Sequence, residues 1–177
     1  QAAERRSVSS RVKATGEITP EKKVEISAKV VGEIISLAVV EGQQVKAGQV
    51  LLEIERDLYE SARDQARAAL RQSEISVRRQ EVQIEDAQRN LRRTRELIGE
   101  GLVSQEALDA AQLAVDTVEV ELEAQQQSVE QYRSALQRAE DDLARTTIRS
   151  PMDGVLIQLD AEQGEVPGYP TVASRLG

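Results

Sequence analysis

Large apolar residues recur every seven positions in two separate runs, and this repeat constrains the fold of the chain more than any other feature. The runs are Leu70, Val77, Ile84, Leu91 and Ile98, then Leu108, Val115, Leu122, Val129, Leu136 and Leu143. Because a seven-residue repeat keeps one narrow apolar seam on a helix, it predicts helices that pack against a partner in a left-handed supercoil. Neither run contains proline or an interior glycine, so each helix can continue unbroken.

The segment between the two runs has residues that end one helix and begin another. Gly99 and Gly101 interrupt the first register, and Ser104 follows as a preferred N-cap residue. The large positions of the two registers are mirror images about this break, so each large apolar residue of one arm would face one of the other. The sequence therefore predicts an antiparallel helical hairpin over residues 56–145, rather than two unrelated long helices.

Two glutamines fall on the predicted seam among apolar residues. The mirror pairing places Gln80 opposite Gln125 in one polar layer of the hairpin. Such a layer costs stability, but it penalises slipped registers, because a slip would leave an amide unpaired against leucine.

Short alternating apolar stretches separated by glycines flank the hairpin, in residues 23–55 and again in residues 146–168. The second stretch is similar to the first, and the aligned turn residues are Gly32 with Gly154 and Gly42 with Gly164. An internal repeat predicts two quasi-equivalent halves that pack together, here as a small β-sandwich domain. The predicted fold is therefore α+β, with the hairpin inserted between the two halves. Residues 1–22 contain a further predicted strand, from Val8 to Ile18.

The composition excludes several classes of function. The 177 residues carry a net charge of −8, which argues against nucleic-acid binding, because phosphate contacts need clustered Lys and Arg. Absence of Cys and His excludes disulfides, thiolate zinc sites and His-based catalysis. We identify no catalytic pair, metal site or cofactor site, and we expect a protein that is not an enzyme. The chain begins without Met, and we expect an N-terminal anchor segment to precede it.

This arrangement resembles the membrane fusion protein family, the periplasmic adaptors of bacterial efflux pumps and type I exporters. Residues 28–51 (AKVVGEIISLAVVEGQQVKAGQVL) are similar to the first half of that family's lipoyl-like domain, and residues 147–155 (TIRSPMDGV) to its second half. The helical insertion is the defining feature of the family. The resemblance implies that residues 1–22 begin an adjoining β-barrel, and that residues 169–177 are a loop or a later start of that barrel.

The function implied by the resemblance is that of an adaptor in the periplasm, anchored to the inner membrane. It would link an inner-membrane transporter to a TolC-like outer-membrane channel. The chain resembles the MacA-like adaptors of ABC-type exporters, which implies a transporter of the ABC type. The family also implies a ring of identical subunits, with six copies expected. The alternative is a structural coiled-coil scaffold with a β cap and no transport role.

The tip of the hairpin is similar to the channel-docking motif of this family. Arg93, Leu97 and Ser104 have the spacing of an Arg, a Leu four residues later and a Ser seven further. The resemblance implies that these three side chains contact the channel. The simpler alternative is a solvated arginine, a leucine that covers the turn and a serine that acts only as a helix cap.

A second apolar stripe lies off the seam, at Ile75 and Val82 in the first arm and at Leu113 and Val120 in the second. An isolated two-helix rod would expose all four, and scattered exposed apolar residues are common. Their regular spacing favours lateral packing of neighbouring hairpins.

An acyl-carrier role is the last alternative. Lipoyl and biotinyl carrier domains modify a lysine in the turn between their halves, but this chain has no lysine between Arg56 and Arg145. A carrier function is therefore not expected, and a modified lysine would appear as a fixed increase in intact mass.

Overall fold

The computed structural model describes residues 24–166 and 174–176, and it shows a small all-β domain with one long helical hairpin inserted into it. The elements in chain order are β1 (Val24–Ile26), β2 (Ile34–Leu37), β3 (Gln44–Val45), β4 (Val50–Ile54), α1 (Asp57–Gly99), α2 (Gln105–Ala144), β5 (Thr147–Arg149), β6 (Gly154–Gln158) and β7 (Ser174–Leu176). The predicted α+β fold with an inserted hairpin is confirmed. The strand predicted from Val8 to Ile18 lies outside the described residues, as does the rest of residues 1–22.

The hairpin consists of two helices of similar length that run antiparallel. α1 has 43 residues and α2 has 40, so each arm is roughly 60 Å long at ~1.5 Å per residue. Near the tip, the seam forms one buried cluster, made of Leu91, Ala111 and Val115 with Ala87 and Leu108 packed against it. Near the base, the arms are joined by an ion pair between Arg67 and Glu140, at 3.1 Å.

The β domain is a sandwich of two antiparallel sheets. One sheet has the order β1-β7-β6-β3 and the other has the order β2-β4-β5. The sequence predicts that residues 169–177 are a loop or the start of a barrel. In the structure, Ser174–Leu176 pairs with both β1 and β6 in the first sheet. A strand of three residues is too short to show an alternating pattern, so this pairing had no detectable signal in the sequence.

The two halves of the β domain are related by exchanged backbone hydrogen bonds. The offset that aligns Gly32 with Gly154 also maps Ile34 onto Leu156, and both of these side chains have no exposed surface. The amide-to-carbonyl bonds form two equivalent pairs: Gly42 to Leu156 (2.7 Å) with Gly164 to Ile34 (2.9 Å), and Leu156 to Gln43 (3.0 Å) with Ile34 to Glu165 (2.9 Å). Each half therefore completes the other, which confirms the predicted internal repeat.

The base of the hairpin is tied to the β domain at two places. The Ile54 amide donates to the Thr146 carbonyl at 2.8 Å, which holds the exit of β4 beside the entry to β5. One turn into α1, the Tyr59 hydroxyl donates to the Val31 carbonyl (2.8 Å) and accepts from the Val31 amide (3.1 Å). The first turn of the hairpin is thus bonded directly to the loop between β1 and β2.

Gly32 lies against the buried core, and its replacement tests that packing. A Cβ added at Gly32 would lie 2.7 Å from Ile54 Cγ2, and Ile54 has no exposed surface into which it could move. We expect Gly32→Ala to lower the free energy of unfolding of the β domain by about 1–3 kcal/mol. Urea titration followed by hydrogen exchange of the β4 amides would measure it.

Gly99→Ala is the matched control for this substitution. A Cβ at Gly99 meets nothing within 4 Å, so the same added methyl group should leave the stability of the β domain unchanged. Equal stability of the Gly32 variant and the control would contradict the close packing.

Candidate functional site

The turn at the end of the hairpin is fixed by a glycine-dependent helix cap. Gly101 has φ of 74°, a left-handed conformation that glycine adopts without steric cost. Its amide donates to the Ile98 carbonyl at 3.0 Å, and the Leu102 amide donates to the Leu97 carbonyl at 3.0 Å. These two bonds form a Schellman motif, which satisfies carbonyl groups at the end of α1. The backbone of Leu97 is therefore held in a defined position at the tip.

Ser104 caps the second helix. Its backbone is extended, and its Oγ accepts a hydrogen bond from the Ala107 amide at 3.3 Å. This contact satisfies one of the amides that a helix start leaves without a partner. A hydroxyl that accepts through one lone pair can still donate its proton, so the capping role leaves Ser104 able to bond to another molecule.

Arg93 presents a positive charge close to this turn. The side chain is exposed, and its Nη2 donates to Asn90 Oδ1 at 3.1 Å. In residues 24–166 and 174–176, the structure shows no carboxylate bonded to it. Leu97 lies four residues later on the same side of α1 and is half-buried. The structure thus places two of the predicted tip residues one turn apart, with Ser104 across the turn.

Leu102 is a further residue at the tip, outside the docking motif predicted from the sequence. Its side chain is 66% exposed, directly after the turn glycine. A large apolar residue in the turn between two helices cannot pack into the seam between them. Its position in the sequence could therefore have identified Leu102 as exposed.

The seam glutamines contact other residues instead of each other. Gln80 Nε2 donates to Glu121 Oε2 at 2.8 Å, and Gln125 Nε2 lies 3.5 Å from Ser73 Oγ. Both side chains are long enough to reach the opposite arm, where Glu121 and Ser73 provide the acceptors. The predicted Gln80–Gln125 layer is therefore replaced by two separate polar contacts, one of them to a serine that is only 4% exposed.

The four residues of the second apolar stripe lie on the outer edges of the hairpin. Their exposed fractions are 53% for Ile75, 58% for Val82 and 66% for both Leu113 and Val120. Each follows a large seam residue by five positions, which rotates it about 140° from the seam. The stripe of α1 and the stripe of α2 therefore lie on the two outer edges of the rod.

Neither a metal site nor a membrane span occurs in the described parts of the chain. The residues that the structure describes include no group of three or more Asp and Glu arranged to hold a metal ion. Within the same ranges, neither helix has an apolar stretch long enough to cross a bilayer.

Comparison with known proteins identifies related chains over most of this length. A family model described as "RND MFP, barrel-sandwich hybrid domain" matches residues 22–167. The chain is 30% identical over 164 residues to the pyoverdine export membrane fusion protein PvdR of Pseudomonas putida, covering 93% of this chain and 42% of that protein. It is 32% identical over 139 residues to the multidrug resistance protein MdtA of Escherichia coli, covering 78% and 30%.

A solved structure shows the same architecture. MacA from Actinobacillus actinomycetemcomitans superposes with a TM-score of 0.78 at 26% sequence identity, covering 88% of this chain and 53% of that one. The chain spans less than half the length of the two curated relatives described above, which are matched over 42% and 30% of their length.

The capping role of Ser104 can be tested apart from any partner. Ser104→Ala removes the acceptor for the Ala107 amide, and loss of an N-cap costs about 1 kcal/mol. We expect roughly fivefold faster hydrogen exchange of the Ala107 amide. Ser128→Ala is the control, since that hydroxyl bonds within α2 to the Ala124 carbonyl, away from any helix end. Unchanged exchange in the Ser104 variant would show that the cap contributes nothing.

Proposed function

The chain belongs to the membrane fusion protein family, and on this premise we propose that it is a periplasmic adaptor that links an inner-membrane transporter to a TolC-like outer-membrane channel. The observation that carries the proposal is the hairpin itself, whose tip presents a charge and apolar groups that the hairpin does not use. The adaptor acts without catalysis, as a conduit and a mechanical coupling element. An N-terminal segment outside this chain anchors it to the inner membrane.

The chemistry of the tip suits a docking contact with the channel. Arg93 offers up to five N–H donors, of which the structure uses one for Asn90. Leu97 and the exposed Leu102 add apolar surface beside this charge. A channel surface with carboxylate or carbonyl acceptors around a small apolar patch would complement these groups, with the Ser104 proton as a further donor.

The inner-membrane partner we propose is an ABC-type transporter. The similarity to MacA, together with the resemblance of the sequence to MacA-like adaptors of ABC-type exporters, supports this choice. The description of the matching family model favours an RND-type transporter as the second candidate. Co-purification of the full-length protein with each transporter class from one membrane extract would separate the two.

Self-association into a ring, with six copies expected, completes the proposal. The outer-edge residues support lateral packing of hairpins, because both edges of the rod expose regularly spaced apolar side chains. The rival function, a structural scaffold with a β cap, would also associate along the rod but would show no specificity at the tip.

Capture of a purified TolC-type channel by this chain tests the docking role. Arg93→Asp and Leu97→Ser should each reduce binding by about tenfold or more, because hydrogen-bonded charges and buried apolar groups dominate small contacts. Arg79→Asp is the matched control, an exposed arginine far from the tip that makes the same charge change. Circular dichroism would check that all variants remain helical.

Two outcomes would contradict this proposal. Binding that survives both tip substitutions would remove Arg93 and Leu97 from the contact. Absence of binding by the assembled wild-type chain would favour the scaffold.

Lateral packing is tested by placing charge on the outer edge of α1. Ile75→Glu with Val82→Glu should weaken self-association at high concentration, as measured by light scattering, because two apolar contacts are replaced by carboxylates. The control is Gln72→Glu with Gln83→Glu, which adds the same charge at exposed α1 positions without removing an apolar side chain. An equal effect of the two double variants would mean that charge alone, and not the apolar stripe, controls association.

A further inference from the structure

Among the residues that the structure describes, the wall of one groove between the arms contains no charged side chain. The groove lies in the half of the hairpin nearer the β domain and has a volume of about 410 Å³. Besides one alanine, its wall consists of Gln72, Ser73, Ser76, Gln125, Ser128 and Tyr132. Two other grooves along the hairpin have four and five charged residues in their walls, so the chemistry of this groove differs from that of the rest of the rod.

The groove is open because a small residue occupies the seam of α1. Ser73 lies on the seam between Leu70 and Val77, and the mirrored seven-residue registers place Tyr132 in the same layer of the hairpin. Ser73 is 4% exposed, but its side chain fills much less space than a leucine would. Tyr132 does not close the gap, since it remains 43% exposed. The layer is therefore open to one flank of the rod, with Tyr132 in its wall.

Each arm supplies one wall of the groove. Gln72 and Ser76 are four residues apart on α1, and Ser128 and Tyr132 are four apart on α2, so each pair lies on one face of its helix. Ser76 directly follows Ile75 and is rotated by about 100° from it. The groove therefore lies on a flank of the hairpin, and it remains open when the outer edges are covered.

Several polar atoms of the groove are available to a second molecule. The Ser76 hydroxyl donates to the Gln72 carbonyl and the Ser128 hydroxyl donates to the Ala124 carbonyl, both at 3.2 Å. Both serine oxygens can still accept a hydrogen bond. In the described part of the chain, the Gln72 side-chain amide and the Tyr132 hydroxyl form no hydrogen bond. The groove thus offers donors and acceptors, all from uncharged amides and hydroxyls.

This set of groups selects the chemistry of a ligand. A charged ligand would lose its hydration without meeting an opposite charge, which costs free energy. A wholly apolar ligand would cover amides and hydroxyls without bonding to them, which is also unfavourable. A sugar avoids both costs. Its hydroxyl groups bond to amides and hydroxyls, and the C–H face of its ring packs on an aromatic side chain.

We propose that this groove is a binding site for a neutral saccharide, in which a sugar ring packs on Tyr132 and its hydroxyl groups bond to Gln72, Ser76 and Ser128. The volume of the groove is within the roughly 300–1,000 Å³ that is typical of small-molecule sites. The inference goes beyond the adaptor function and does not depend on it. It assigns a ligand to the shaft of the hairpin, whereas the proposed channel contact is at the tip.

Titration with chitotetraose, a neutral tetrasaccharide, tests the site, with NMR of the tyrosine rings as the measurement. The chain has three tyrosines and no Trp or Phe, so the aromatic spectrum is simple. The Tyr132 ring signals should shift to a plateau as the sugar concentration rises. Those of Tyr59, which is bonded to Val31 at the base of the hairpin, should not shift. Absence of a shift at Tyr132, or equal shifts at both tyrosines, would overturn the proposal.

Substitution of Tyr132 separates the ring from its hydroxyl. Tyr132→Ala should weaken binding by about tenfold or more, as measured on the proton signals of the sugar, because it removes the aromatic surface. Tyr132→Phe keeps the ring and should weaken binding by only about two- to fivefold. Alanine has the highest helix propensity, so the first variant should remain helical, which circular dichroism would check. An alanine variant that binds as well as wild type, or a phenylalanine variant as weak as the alanine variant, would overturn the proposal.

A charge placed in the groove provides a test with a matched control. Gln125→Glu should weaken binding of the neutral sugar severalfold, because the sugar would cover a carboxylate and remove its hydration. Gln126→Glu makes the same change at the next residue, which lines a different groove, and should leave the affinity unchanged. Equal effects of the two variants would overturn the location of the site. Channel capture through the tip is measured separately, so failure of sugar binding would leave the adaptor function standing.

Discussion

The pairing of β4 with β5 is the constraint on which the rest of the structure depends. These strands are neighbours in one sheet, with Glu53 opposite Thr147, yet the whole hairpin lies between them in the sequence. Their pairing requires the chain to return to the point from which it left. Two antiparallel helices of nearly equal length meet that requirement, because a rigid hairpin holds its ends together and avoids the entropy cost of closing a long flexible loop.

The parts of the fold that follow from repeating patterns could be predicted from the sequence. The seven-residue spacing within each of two runs, one containing Leu91 and the other Val115, identified the seam. Both residues lie in the same buried cluster. The aligned glycines identified the two halves, because Gly42 and Gly164 adopt the same left-handed conformation and donate equivalent bonds. Such patterns are visible because the same local geometry recurs at fixed intervals.

Single long-range contacts could not be predicted in the same way. Nothing in the composition around Tyr59 indicates that its hydroxyl would reach Val31, 28 residues earlier. The partners of Gln80 and Gln125 depend on how far each side chain reaches and on which acceptor lies nearby. A pairing scheme based on residue spacing includes neither. At the tip, the sequence indicated both the cap and the turn, but the exposure of Leu102 follows from the path of the backbone after Gly101.

The Tyr59 hydroxyl has a consequence for how force passes along the molecule. It bonds to both the amide and the carbonyl of Val31, so the first turn of α1 cannot swing away from the β domain without losing two hydrogen bonds at once. Because its base is held by these bonds, the hairpin rotates as a rigid rod whose tip is roughly 60 Å from the point of rotation. A rotation of only about 3° at the base then moves the tip by about 3 Å, the length of one hydrogen bond.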